Sequence, residues 1–230
     1  MKKFWLKISS VLLFMTATAQ SQDWPNLERF KAKNDSLGLP NEHEQRVVFM
    51  GNSITQGWID YGNPDLFKDN TFINRGISGQ TTPQMLLRFR QDVINLKPKA
   101  VVILAGINDI AGNTGPSTLK MIQNNIVSMV ELAQANQIKV IISSILPTNK
   151  FAWKPGIDPA DSVIEMNAFL KTYATENDCY YLDYYAALVD DKKGMKDIYS
   201  EDGVHPTLLG YDIMTPLVLE AIKNVLEELN

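Results

Sequence analysis

The stretch Val47-Val48-Phe49-Met50-Gly51-Asn52-Ser53-Ile54-Thr55 decides how the chain is read. Its first four residues form an unbroken apolar run. A run of that kind suits a strand covered on both faces of a parallel sheet, because a half-exposed strand would alternate. It stops at Gly-Asn-Ser, which puts a hydroxyl just beyond a strand end. Four more runs repeat the pattern: Thr71-Phe72-Ile73, Val101-Val102-Ile103-Leu104, Val140-Ile141-Ile142 and Tyr180-Tyr181-Leu182. The longer segments between them carry helical spacing. Thr82-Pro83 opens one, with Thr82 as N-cap and Pro83 at the first helical position. Leu119 to Ala135 reads as the next. Asp158-Pro159 opens a third, to about Thr175, and Leu208 to Leu229 is the last, with Pro216 a possible kink point. Strand and helix in alternation predict an α/β fold with about five parallel strands.

In such sheets, ligands bind beyond the carboxyl ends of the strands, so reactive residues should follow strands. Ser53 follows the first. Asn74-Arg75-Gly76-Ile77-Ser78-Gly79 follows the second, and Ala105-Gly106-Ile107-Asn108-Asp109 the third. Asp202-Gly203-Val204-His205-Pro206 follows the fifth, after a short helical region.

These residues suit acyl transfer. A serine hydroxyl is a weak nucleophile and needs a base to take its proton. Histidine is the usual base, since its reference pKa of about 6.5 lies near working pH. The chain has two. His43 lies in a polar run before the first strand, and His205 lies in a loop beyond the last, so placement favours His205. Asp202, three residues earlier, can reach the imidazole within one turn. Taken alone, Asp-x-x-His could equally be a helix-capping turn with a surface histidine. An oxyanion needs donors, and Gly79 (backbone N–H), Asn108 (side-chain amide) and the N–H of Ser53 are available. Each of these also has a plainer reading as a turn or loop residue.

Gly-Asn-Ser-Ile-Thr, Gly79, Gly-Ile-Asn-Asp and Asp-Gly-Val-His-Pro, in this order, resemble the four blocks of the SGNH (GDSL-type) serine hydrolases. The resemblance runs from Val47 to the C-terminus. It implies a three-layer α/β/α sandwich, flavodoxin-like in topology. It also implies Ser53 as nucleophile, Asp202 and His205 as its partners, and Ser53, Gly79 and Asn108 as the oxyanion hole, with no cofactor. Asn52 stands where the family commonly has Asp, a change expected to alter local bonding and leave the chemistry intact.

The ends and the charge narrow the setting. Lys2, Lys3 and Lys7 precede an apolar run from Ile8 to Met15 and then Ala17-Thr18-Ala19. This is the pattern of a secretory signal peptide over residues 1–19, the plainer alternative being an N-terminal membrane anchor, and it predicts a secreted or periplasmic protein with no stable membrane insertion after cleavage. Residues 20–230 then read as one domain, with 20–45 as an N-terminal arm packed on its surface. The formal charge is −4, and removal of residues 1–19 leaves 19 basic against 26 acidic side chains. That balance gives no general attraction to nucleic acid. With two His and one Cys, well apart, a zinc site is not expected. Cys179, in an apolar stretch, reads as structural.

The substrate is less directly written. Trp58, Tyr61, Phe151 and Trp153 are candidate substrate-binding aromatics, able to stack on a sugar or line an acyl pocket, or simply to pack. Arg75, Arg88 and Arg90 could steer an acidic sugar, or face water from a helix. The secreted, acidic character and the opening block resemble the bacterial acetylhydrolase and sialate or carbohydrate O-acetylesterase-like group. That resemblance implies removal of short acyl groups, acetyl foremost, from a glycan or small-molecule ester. Three other functions fit the same residues: a lysophospholipase or thioesterase, which would prefer long acyl chains; an O-acetyltransferase, which would divert acetyl to a sugar; and a non-catalytic glycan-binding module, which would bind without turnover.

Overall fold

The structure, a computed structural model, describes residues 23–69 and 71–227. The signal-peptide reading of residues 1–19 lies outside these. Five parallel strands form one sheet: β1 (Val47–Gly51), β2 (Phe72–Gly76), β3 (Ala100–Leu104), β4 (Lys139–Ser143) and β5 (Tyr180–Leu182), in the order β2-β1-β3-β4-β5. Every residue of β1 and β3 is buried, as their unbroken apolar runs require.

Helices cover both faces. They are α1 (Lys31–Leu37), α2 (Ser53–Asp60), α3 (Thr82–Asp92), α4 (Ile107–Ile110), α5 (Leu119–Gln134), α6 (Ala160–Glu176), α7 (Tyr184–Leu188) and α8 (Leu208–Glu227). Parallel crossovers are right-handed, and the strand order reverses at β1. The connection after β1 therefore lies on one face and the later ones on the other. In agreement, α5 packs against both α3 and α6, while Trp58 of α2 packs on Tyr211 of α8 with ring centroids 5.3 Å apart. The crevice between β1 and β3, at the reversal, is where a ligand site is expected. Ser53 is the first residue of the helix that leaves it.

Several local readings shift. The second strand continues through Asn74, Arg75 and Gly76, which were expected to be loop. These polar residues tolerate burial because each is bonded: Asn74 Nδ2 donates to the Thr55 carbonyl at 2.6 Å, and Arg75 Nη1 to the Asn74 carbonyl at 2.9 Å. Gly76 is required there, since a Cβ would run into the α2 backbone at Thr55 and Gln56. The cap of α3 is Thr81, in a capping box with Gln84, so Thr82 is the first helical residue. Pro216 sits inside α8. Cys179 is partly buried, and burial pushes its thiol up to about 11, away from reactivity.

The arm does pack on the surface of the domain. Phe30 is buried, and the Arg75 guanidinium lies 4.7 Å from its ring centroid. Asn34 Oδ1 accepts from Arg75 Nε at 2.9 Å and Nη2 at 2.7 Å, and Asn34 Nδ2 donates to Asp92 at 2.7 Å. Among the described residues, no helix is long and apolar enough to cross a membrane.

Candidate active site

The site is built on loops at one sheet edge. Asn52 caps α2, its Oδ1 accepting from the Ile54 N–H at 3.0 Å. Its Nδ2 is buried without a partner. The cap fixes the first helical turn and projects Ser53 from it. Tyr211 Oη donates to the Ile54 carbonyl at 2.8 Å, tying this turn to the helix that follows His205.

The Asp202–His205 loop is a wound turn. Asp202 Oδ1 accepts from the Val204 and His205 N–H groups, both at 2.8 Å, and Gly203 takes a φ of +80°. Val204 and Pro206 are buried and anchor the loop. Asp202 Oδ2 meets His205 Nδ1 at 2.6 Å, and His205 Nε2 meets Ser53 Oγ at 2.9 Å. A carboxylate only accepts, so the proton of the neutral imidazole sits on Nδ1 and the Nε2 lone pair faces the Ser53 hydroxyl. An imidazole so held can take that proton as Oγ attacks a carbonyl. Partial burial raises the Asp202 carboxyl, but the His205 N–H, the imidazole and the Val204 N–H outweigh it, so the carboxyl lies below its ordinary value.

The candidate donors lie on the segments that follow β1, β2 and β3. The first N–H groups of a helix have no intrahelical partner, and Ser53 is first in α2. Gly79 is exposed with a φ of +77°, and no atom lies within 4 Å of where a Cβ would stand. Asn108 is buried at the start of α4, with Nδ2 donating to the Gln80 carbonyl at 3.0 Å. An amide nitrogen carries two hydrogens, so one remains for a ligand oxygen. Beside Asn108, Asp109 accepts from the Thr82 N–H at 3.0 Å and hydroxyl at 2.6 Å.

Burial pushes the Asp109 carboxyl up to about 6 from 3.8, against the pull of Thr82. An acid whose native pKa lies above its unfolded value binds its proton more tightly when folded. Its contribution to stability is full below about pH 4 and is lost as pH rises through about 6. Asp109→Asn cannot ionise and escapes that loss. Its melting temperature should therefore gain on the parent's between pH 4.5 and 7.5, by at most about 3 kcal/mol of stability. A constant difference across that range would show that Asp109 does not titrate there.

The four aromatic candidates divide. Trp58 is buried in the core against Phe49, Tyr184 and Tyr211, with Nε1 donating to Thr215 at 3.3 Å. It joins α2 to α8 and offers no face to a ligand. Phe151 is also buried, under Trp153. Trp153 and Tyr61 are exposed. The Trp153 ring lies 6.2 Å from the His205 ring, and Tyr61 lines a cavity of about 480 Å³ with Glu201, Asp202, His205 and Leu208. The arginines fail as steering groups. Arg75 and Arg88 are buried, and Arg88 pairs with Asp92 at 3.0 Å, while Arg90 is exposed on α3. Among the described residues, no group of three or more His, Cys, Asp or Glu side chains gathers to hold a metal.

Residues 49–213 match the model of the GDSL-like lipase/acylhydrolase family. The chain belongs to that family. It is a family of carboxylic ester hydrolases, and the fold described above is shared with its solved members. One, from Bacteroides fragilis and solved as a candidate acylhydrolase, is 50% identical with a TM-score of 0.87, covering 89% of this chain and 99% of its own. Among curated relatives, Esterase TesA of Pseudomonas aeruginosa is 28% identical over 79% of this chain and 90% of its own. The acetylxylan esterase of Xylanibacter ruminicola is 26% identical over 82% of this GDSL-like chain and 45% of its own. The chain thus spans about half the length of two of the curated relatives it matches.

Proposed function

We propose that this GDSL-like chain is a secreted or periplasmic serine esterase that removes short acyl groups, acetyl foremost, from a carbohydrate. Residues 20–230 act as one mature domain after loss of residues 1–19. The observation that carries the reading is the continuous relay from Ser53 Oγ to His205 Nε2 at 2.9 Å and from His205 Nδ1 to Asp202 Oδ2 at 2.6 Å. Ser53 Oγ attacks the ester carbonyl and His205 Nε2 takes its proton. The oxyanion accepts from the Ser53 and Gly79 N–H groups and from Asn108 Nδ2. The carbonyl re-forms, the alcohol leaves with the proton from His205, and Ser53 holds the acyl group. Water then attacks the acyl-enzyme, giving His205 its proton. Collapse returns that proton to Ser53 and releases the acid.

The sugar preference is supported by two exposed aromatic faces beside His205, those of Tyr61 and Trp153. Glu201 lines the same cavity. Its carboxylate can accept from the hydroxyls of a neutral sugar and repels an acidic one. A relative named for acetylxylan points the same way.

The test is hydrolysis of p-nitrophenyl esters of increasing acyl length beside Ser53→Ala. Turnover that fades with length in the parent and vanishes in the variant is expected, whereas a maximum at long chains would move the assignment to lipid or thioester substrates. Tyr61→Ala and Trp153→Ala should then each raise KM for acetylated xylan about 3- to 10-fold, the value of one lost stacking contact. The rise should be smaller for p-nitrophenyl acetate, which has no sugar to stack. Equal changes on both substrates would remove the sugar platform from the proposal.

A further inference from the structure

Gln80 carries no chemistry of its own, yet it is held at every polar atom of its side chain. It directly follows Gly79 and is buried. Its Oε1 accepts from Arg88 Nε at 2.6 Å, and its Nε2 donates to the Pro25 carbonyl of the arm at 2.8 Å. Its own carbonyl accepts from Asn108 Nδ2 at 3.0 Å. Arg88, fully buried, reaches onward: Nη2 donates to the Gly51 carbonyl at 3.0 Å, at the end of β1, and Nη1 to Asp92 at 3.0 Å. One amide side chain and one guanidinium therefore join the strand that delivers Ser53, the loop of Gly79 and, through the Gln80 carbonyl, the side chain of Asn108.

We infer that Gln80 is the positioning residue of the oxyanion hole, and that the N-terminal arm supports catalysis through the Pro25 carbonyl. The inference rests on the proposed roles of Gly79 and Asn108. The carbonyl of Gln80 takes one Asn108 amide hydrogen, and that bond aims the other. The Gln80 N–H bond to the Ile77 carbonyl at 3.3 Å holds the turn, and the grip on the side chain, from the core by Arg88 and from the surface by Pro25, sets where the carbonyl points. A displacement of about 1 Å in such a donor costs up to ~10²-fold in rate.

A double-mutant cycle on p-nitrophenyl acetate tests this, with melting temperatures recorded for each protein. Gln80→Ala should lower kcat about 10-fold or more and leave KM within about twofold, because the donors act on charge that develops in the transition state. In an Asn108→Ala background the same change should cost clearly less than in the parent, since only the Gly79 N–H is left to aim. Gln91→Ala supplies the control. It removes a different arm tie, Nε2 to the Leu27 carbonyl at 2.6 Å, remote from Gly79 and Asn108, and should leave kcat unchanged. If Gln80→Ala does not fold, Gln80→Glu keeps the acceptor for Arg88, opposes the Pro25 carbonyl and carries the same cycle. Full activity in a folded Gln80 variant would overturn the inference. So would losses that multiply with Asn108→Ala, or an equal loss in Gln91→Ala. An Asn108→Ala protein with parental kcat would overturn it by removing its target, while Ser53-dependent turnover would leave the esterase reading standing.

Discussion

Ser53→Ala lowers kcat for ester hydrolysis about 10⁴- to 10⁶-fold, the range expected when the nucleophile of a serine–histidine unit is removed. The argument is geometric. His205 Nε2 has one hydroxyl to act on, at 2.9 Å, and without Oγ no covalent path remains. Whatever turnover persists comes from the oxyanion donors and from substrate binding. His205→Ala should lose nearly as much, and the double variant should lose hardly more than either, because the two side chains perform one proton transfer. The fold should be little affected, since the cap of α2 is the side chain of Asn52 and not that of Ser53. Pre-steady-state kinetics on p-nitrophenyl acetate provide the check. The parent should release a burst of about one nitrophenol per active site if deacylation is the slower step, and Ser53→Ala should release none. Losses that multiply in the double variant would mean that the two residues act independently.

Asn108→Ala should lower kcat about 10²- to 10³-fold with KM nearly constant. Asn108 is buried and its Nδ2 is anchored on the Gln80 carbonyl, so the second amide hydrogen is pre-aimed and needs no reorganisation when charge appears. The truncation leaves the Gln80 carbonyl short of a donor, which adds a modest stability cost. Steady-state kinetics across acyl lengths provide the measurement, and the loss should be uniform, since every ester builds the same oxyanion. A loss confined to one acyl length would assign Asn108 to substrate selection.

Much of this was legible in the sequence because strand ends and reactive residues obey one rule. Unbroken apolar runs located the strands, Ser53 and Asn108 stood just beyond two of them, and the Asp202–His205 loop followed the last after an intervening helical region. Polarity misled where burial is compensated. Asn74, Arg75 and Gly76 look like loop residues, but bonds to Thr55, Asn34 and their own backbone keep them in β2. Trp58 and Phe151 showed the opposite limit, since an aromatic residue near a loop carries no local sign of which way it faces. Arg88 and Gln80 were invisible as partners. Their contacts come from Pro25, Gly51 and Asn108, and no local period encodes a meeting of segments so far apart. The one available signal was that Gln80 is adjacent to Gly79.

The buried charges also bear on how the arm behaves. Asn34 supplies an acceptor to two nitrogens of Arg75 and a donor to Asp92. Lifting the arm would take the Asn34 bonds from both ions, leaving Asp92 its pair with Arg88 and Arg75 its bond to the Asn74 carbonyl, and each lost bond to a charged group costs about 1.5–3 kcal/mol. Local opening of the segment around Asn34 is therefore opposed by those bonds. The amides of the Asn34 segment should therefore exchange with solvent more slowly than those of an unanchored surface segment.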